Sequence, residues 1–195
     1  MHIDEKRQQF SERMAYEGTL HVAVEAFEPS HDAIGRYNER NLHVLRTLLS
    51  LDDRRVENSG DDDNPVMQEL QRMDSKINVL LDIVDRLLLP VALLPERHLV
   101  HFNAVGATLP QRLLPDADHV LLRLHLDTCR ALPLELPARV TQHAGDANAF
   151  IYFCELSDLV EDGLERFVFC HHRRKVAEAR LTAASGNVSG SKYGM

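Results

Sequence analysis

A heptad pattern between two prolines constrains the fold of this chain more than any other feature. From residue 66 to residue 87, apolar residues recur at alternating steps of four and three. These residues, hereafter the heptad face, are Val66, Leu70, Met73, Ile77, Leu80, Val84 and Leu87. Such a/d spacing is typical of helices that supercoil around one another. Because so long an apolar face is rarely left in water, the pattern predicts a homo-oligomer.

The flanking residues give clear ends to this helix. Asn64 suits an N-cap and Pro65 the first helical position. Pro90 disfavours helical backbone at Leu89, so we predict a helix over 65–89. At 1.5 Å per residue, its length is about 37 Å.

The sequence cues for the number of associating helices conflict. The residues beside the heptad face are charged early in the helix and apolar later, namely Glu69, Asp74 and Lys76, then Leu81, Ile83 and Leu88. A widening apolar face favours three or four helices, whereas β-branched residues at a with leucine at d favour two. We favour a tetramer over a dimer and leave the helix orientation open.

Composition limits the class of protein. A length of 195 residues predicts one domain with an embellishment, and a net charge of -8 argues against nucleic-acid binding. The N-terminus has no apolar h-region, so we expect no signal peptide. The longest apolar run contains Pro90 and is too short to span a membrane. Cys129, Cys154 and Cys170 lack zinc-finger spacing, which predicts reduced thiols in a cytoplasmic protein.

Alternating apolar residues predict strands on both sides of the helices. Residues 16–27 form one such segment, and later segments cover 119–127, 132–136 and 150–156. Pro133 lies within the segment 132–136 and Pro137 directly follows it, which predicts an edge or bulged strand. Short strands separated by turns indicate a small barrel.

The other helical segments complete the predicted organisation. A first helix covers about 32–51, an acidic connector 54–65, and a closing helix 157–180. We predict that the two central helices form an antiparallel hairpin, inserted at 31–90 between paired strands. The small, polar residues 183–195 predict a disordered tail.

Three stretches of the sequence resemble the PilZ domain, a bacterial family. They are EKRQQFSER at 5–13, HFNAVGATL at 101–109, and the acidic-then-apolar helix with basic residues at 155–180. The resemblance covers residues 1–30 and 91–182. It implies an α+β fold, a small six-stranded antiparallel β-barrel with a C-terminal helix, which here carries the two-helix coiled-coil insertion.

The resemblance also assigns positions for cyclic di-GMP, the second messenger that ligand-binding members hold. The matching positions are Arg7, Ser11, Arg13, His101, Asn103 and Gly106. In the family these belong to two motifs, RxxxR and [DN]xSxxG.

Both motifs are degenerate in this sequence. An RxxxR frame that starts at Arg7 places Ser11 where the second arginine belongs, and a frame that ends at Arg13 starts at Gln9. In the second motif His101 and Asn103 replace the Asp/Asn and the Ser. Since paired guanidinium groups supply the phosphate contacts, we predict that this site does not bind cyclic di-GMP.

No catalytic or metal-binding motif is evident. Cys170, His171 and His172 are adjacent on a helix and therefore point about 100° apart. Four further histidines lack zinc-type spacing, namely His98, His101, His119 and His125. We therefore predict no enzyme, cofactor or metal; a metal-dependent enzyme or metal sensor stays open as an alternative.

Together these observations predict an oligomeric, non-enzymatic regulatory adaptor that acts through an unidentified protein partner. The resemblance implies a bacterial cytosolic protein involved in type IV pili, surface motility or virulence. The first alternative is a true cyclic di-GMP receptor that uses Arg7, Arg13, His101 and Asn103 in an altered arrangement.

Overall fold

The computed structural model describes residues 3–57, 65–141 and 147–187. In that part of the chain, four α-helices and two short 3₁₀ turns accompany six strands. The main elements are α1 (Ile3–Glu12), β1 (Tyr16–Ala26), α2 (His31–Glu57), α3 (Pro65–Leu88), β2 (Arg97–Phe102), β3 (Gly106–Pro110), β4 (His119–Leu126), β5 (Cys129–Val140), β6 (Asn148–Phe153) and α4 (Asp158–Asn187).

The six strands form a closed antiparallel barrel in the order β1-β2-β3-β6-β5-β4. This confirms the predicted α+β fold with a six-stranded barrel. β1 pairs with β2 on one side and with β4 on the other. α2 and α3 lie between β1 and β2 in the chain, and these two strands are hydrogen-bonded to each other. The chain therefore leaves the barrel after β1, forms the two helices, and returns to the barrel beside β1.

The hydrophobic core extends from the barrel interior onto two helices. Barrel residues such as Phe102 and Leu122 are fully buried, and they share one cluster with Leu45 and Leu48 of α2 and with Leu164 of α4. α2 packs on β5 and α4, and α3 also contacts β5. α2 therefore shares the core of the barrel. The division into a barrel and an insertion at 31–90 stays a prediction.

Several predicted boundaries were too short or incomplete. α2 continues to Glu57, so the predicted connector is wrong at 54–57; its remainder at 58–64, with the proposed cap Asn64, lies outside the described residues. α4 continues to Asn187, so the predicted disordered tail is wrong at 183–187, and 188–195 lie outside the described residues. The helix α1 was not predicted. The bounds of α3 agree with the prediction to within one residue.

β5 corrects the prediction for its two prolines. It pairs with both β4 and β6, so the edge-strand alternative is wrong, while a register shift beyond Leu124 fits the bulged alternative. The pairing with β6 covers residues 138–140, and the earlier part of β5 runs past the end of β6. Successive N–H groups along a strand point to opposite sides, and the N–H of Glu135 points away from β4, toward Asn41. Pro133 and Pro137 are each two residues from Glu135, so an N–H at either position would also point away from β4. Proline lacks that N–H, and the carbonyl of Pro137 accepts from the Cys154 N–H at 2.9 Å.

Two asparagines of α2 bind backbone groups of the barrel and the loop before α4. The Asn41 side chain accepts from the Glu135 N–H at 2.8 Å and donates to the Glu135 carbonyl at 2.7 Å, and it is fully buried. Asn38 makes the same pair of bonds to the Ser157 N–H and the Glu155 carbonyl, in an exposed position. Asn41 thus satisfies a β5 residue that lies beyond the reach of β6.

Candidate functional site

The helix α1 carries the first group of predicted ligand positions. It lies against β6, where the rings of Phe10 and Phe150 are 5.2 Å apart. Arg7 and Ser11 are exposed on α1, and the Ser11 hydroxyl donates to the Gln8 carbonyl at 2.8 Å. This arrangement leaves Arg7 in solvent, without a neighbouring arginine at Ser11 to complete a phosphate-binding pair.

Arg13 follows α1 directly and is paired with an acid. Its Nη1 lies 2.7 Å from Oε1 of Glu165 on α4, and both side chains are about half exposed. An exposed ion pair of this kind contributes roughly 0–1 kcal/mol. The Glu165 carboxylate nevertheless reduces the local positive charge that a phosphate would require.

Asn103, in the turn between β2 and β3, is buried and hydrogen-bonded to backbone groups of the chain. It is 2% exposed. Its side chain donates to the Phe10 carbonyl at 3.0 Å and accepts from the Val105 N–H at 2.8 Å, and its own N–H donates to the Gly106 carbonyl at 3.1 Å. The side chain therefore holds α1 on the turn, and both of its polar atoms already have partners within the chain.

Close packing of β3 against β6 requires glycine at position 106. It begins β3, and a Cβ built there would lie 2.3 Å from the Ile151 carbonyl oxygen of β6. Such a distance is too short for carbon and oxygen, so a side chain would push β3 away from β6. The retained glycine of the second motif therefore does not by itself indicate a ligand.

We expect Gly106→Ala to lower the free energy of unfolding by about 2 kcal/mol, since overpacking that forces backbone shifts typically costs 1–3 kcal/mol. Urea unfolding at fixed protein concentration measures the change. Gly35→Ala is the matched control, because nothing lies within 4 Å of a Cβ at that helical position. A Gly106→Ala variant as stable as that control would contradict the close approach.

His101 lies beside a different set of charges. Its Nε2 is 3.5 Å from Oε1 of Glu17, the residue opposite it on β1, and Glu17 also faces Lys175 of α4 at 3.9 Å. Arg13 and Asn103 line one pocket of about 340 Å³, whereas Arg7, Ser11, His101 and Gly106 do not line it.

Two exposed apolar side chains at this pocket were missed in the sequence. Met14 is 45% exposed and Phe169 is 51% exposed, and both line the pocket with Ala104 and Val168. The available clue was that Phe169 lies off the apolar stripe of the last helix, two residues after the buried Phe167.

The heptad face of α3 is exposed in the single chain. The six described side chains are exposed by 43–75%, namely Leu70, Met73, Ile77, Leu80, Val84 and Leu87. Val66 belongs to α3, but its side chain lies outside the described ones. A soluble monomer rarely exposes so continuous an apolar surface.

Cysteine and histidine chemistry gives no metal centre in the described residues. No group of three metal-ligating side chains occurs there. His98 contacts Glu96 and Arg112, and the His171 ring lies 4.2 Å from that of Tyr16. Burial raises the pKa of the Cys154 thiol, which disfavours the thiolate that metals and nucleophilic catalysis require.

A second pocket, of about 230 Å³, lies on the core-facing side of α4. Tyr16, Asp127, Phe167 and His171 are among its lining residues. Burial, reinforced by the Asp127 carboxylate and partly offset by Arg97, raises the pKa of Tyr16. None of the predicted ligand positions lines this pocket.

Comparison with protein families identifies the class of this barrel. The model of the atypical PilZ domain, described as a cyclic di-GMP receptor, matches residues 45–181. The match spans more than half of the chain, so the chain belongs to the atypical PilZ domain family. This confirms the family resemblance. The matched residues include the stretches 101–109 and 155–180 and the whole of α3, but not the stretch 5–13.

A solved structure gives a more particular likeness. The chain is similar to a pathogenic protein from Xanthomonas campestris, described as a new tetrameric PilZ domain self-assembled via an unusual helical bundle. The two share 25% sequence identity with a TM-score of 0.65, over 89% of this chain and 97% of that one. No curated protein matches this chain. In the described residues, no helix is both long and apolar enough to cross a membrane.

Proposed function

We propose that this chain is a non-enzymatic adaptor of the bacterial cytoplasm that assembles into a tetramer through α3 and acts by binding other proteins. The pathways proposed for it are type IV pili, surface motility or virulence. The single observation that carries the proposal is the exposed heptad face.

The assembly is supported by the physical state of α3 and by the structural relative. The described members of the heptad face are exposed in the isolated chain, and burying them against other copies would remove a large apolar surface from water. The relative from Xanthomonas campestris is described as tetrameric through a helical bundle. Several barrels in one assembly would bind a clustered partner with avidity.

The loss of the messenger site is supported by the contacts of the matching residues. Asn103 is engaged at both polar atoms, Arg13 is paired with Glu165, and Ser11 supplies no charge. A ligand with two phosphates would have to displace Glu165 and would gain one guanidinium at most in this pocket.

Calorimetric titration with cyclic di-GMP tests the proposal directly. We expect no saturable heat from the full-length oligomer, whose mass is checked by light scattering in the same buffer. Saturable binding at micromolar concentration or tighter would show that the ligand-loss argument is wrong.

A true receptor is the second candidate, because the family as a whole is described as cyclic di-GMP receptors. In that case Arg7→Ala and Arg13→Ala should each abolish the titration signal. Arg46→Ala, an exposed arginine on α2, is the matched control. If wild type and Arg46→Ala bound cyclic di-GMP and the other two variants did not, the chain would be a receptor and the adaptor proposal would be wrong.

A further inference from the structure

We propose that the partner of this adaptor binds in the pocket formed by the end of α1, the β2–β3 turn and α4. We call it the α4 groove; it is lined by Arg13, Met14, Asn103, Ala104, Glu165, Val168 and Phe169. The occupant is a segment of another protein that inserts a large apolar side chain and continues with acidic residues. The inference rests on the proposed function and names its binding surface.

The polar side chains of the α4 groove already have partners within the chain. Asn103 uses its amide within the chain, and Arg13 and Glu165 neutralise each other at 2.7 Å. A small polar ligand would therefore have to compete with Glu165 for Arg13 and with backbone groups for Asn103. The exposed apolar surface comes from Met14 and Phe169, and the buried Ala104 and Val168 form the floor beneath them.

The α4 groove has the size of a small binding pocket and an exposed apolar rim. The volume of about 340 Å³ lies at the lower end of the range for binding pockets, roughly 300–1,000 Å³. Met14 and Phe169 at its rim are each about half exposed. Aromatic residues and methionine are enriched where proteins bind each other, and a pocket bordered by both suits one large apolar anchor.

Two arginines of α4 place positive charge beside the groove and beyond it. The Arg173 guanidinium lies 5.9 Å from the centroid of the Phe169 ring, and Arg180 follows seven residues later on the same exposed stripe of α4. The first turn of α4 is acidic instead, with Asp158 and Glu161. On a chain of net charge -8, this basic stripe is a local exception. It is complementary to acidic residues that run from the anchor toward the C-terminal end of α4.

Fluorescence anisotropy on the full-length oligomer tests the inference. The probes are labelled synthetic peptides with a fixed leucine or phenylalanine followed by glutamates, and matched peptides with lysines instead. We expect micromolar binding of the acidic set and at least tenfold weaker binding of the basic set. Phe169→Ser and Met14→Ser should each weaken binding about tenfold, as expected for residues that contact an anchor. Arg173→Glu should reverse the charge preference.

The matched control is Leu159→Ser. Leu159 is 58% exposed on the same helix but does not line the groove, so its replacement should leave binding unchanged. An equal loss of peptide affinity in Leu159→Ser would overturn the inference. So would the absence of binding to both peptide sets, or binding to anionic vesicles in place of peptides.

Light scattering on the same variants separates this inference from the proposed function. Dissociation of the oligomer by Phe169→Ser would show that a second copy occupies the groove, and would overturn the partner assignment. An intact oligomer that binds no peptide would reject the groove and leave assembly through α3 standing. Displacement of the labelled peptide by cyclic di-GMP would instead reject the proposal that this chain has lost its cyclic di-GMP binding site.

Discussion

Replacement of Asn41 by leucine should lower the free energy of unfolding by about 3 kcal/mol, although the two side chains are similar in size. The Asn41 amide is the partner of both the N–H and the carbonyl of Glu135, and it is fully buried. Leaving a buried polar group without a partner costs about 1–3 kcal/mol, and here two groups are affected. Urea unfolding followed by circular dichroism, at fixed protein concentration, measures the loss.

Asn38→Leu is the matched control for this prediction. Asn38 lies three residues earlier on α2 and makes the same two kinds of bond, but at an exposed site where water can replace it. We expect a loss of about 0.5–1 kcal/mol, the net contribution of an ordinary hydrogen bond. Equal losses in the two variants would show that burial of the Glu135 backbone is not the cause.

The double substitution Leu80→Asp with Val84→Asp should dissociate the oligomer. Both side chains lie in the middle of the heptad face and are 60% and 47% exposed in the single chain. If neighbouring copies cover them, each aspartate would place a charge in an apolar interface, at a cost of several kcal/mol per charge. Light scattering should report a fall to the 22.2 kDa of one chain.

Val79→Asp controls for a general effect of charge on α3. Val79 is 59% exposed, adjacent to Leu80, and lies outside the a/d positions. Its substitution should leave the mass of the oligomer unchanged. An unchanged mass in the Leu80 and Val84 double variant would rule out the heptad face as the interface.

The parts of the fold that were predictable depended on strong local patterns. The bounds of α3 followed from two prolines and a regular apolar spacing, and β1 from strict alternation. The helix α1 was missed because its sequence has no buried residue and therefore no apolar periodicity. The role of β5 was misjudged because the two prolines disfavour a paired strand, unless their missing N–H groups point where no strand runs.

The candidate site was less predictable because its residues act through distant parts of the chain. The motif positions indicated a degenerate pattern from the sequence alone, but the engagement of Asn103 with Phe10 required the three-dimensional contact. The pairing of Arg13 with Glu165 joins residues 152 apart. No local pattern reports such a pair, and the same is true of Met14 and Phe169 at one pocket.

The way α2 covers β5 also bears on how copies of this protein can associate. A strand with free N–H and carbonyl groups is a template for strands of other chains, and so for aggregation. Along the stretch of β5 beyond β6, two prolines offer no donor, and Asn41 occupies both groups of Glu135. Intermolecular β-pairing is therefore disfavoured at this stretch of β5.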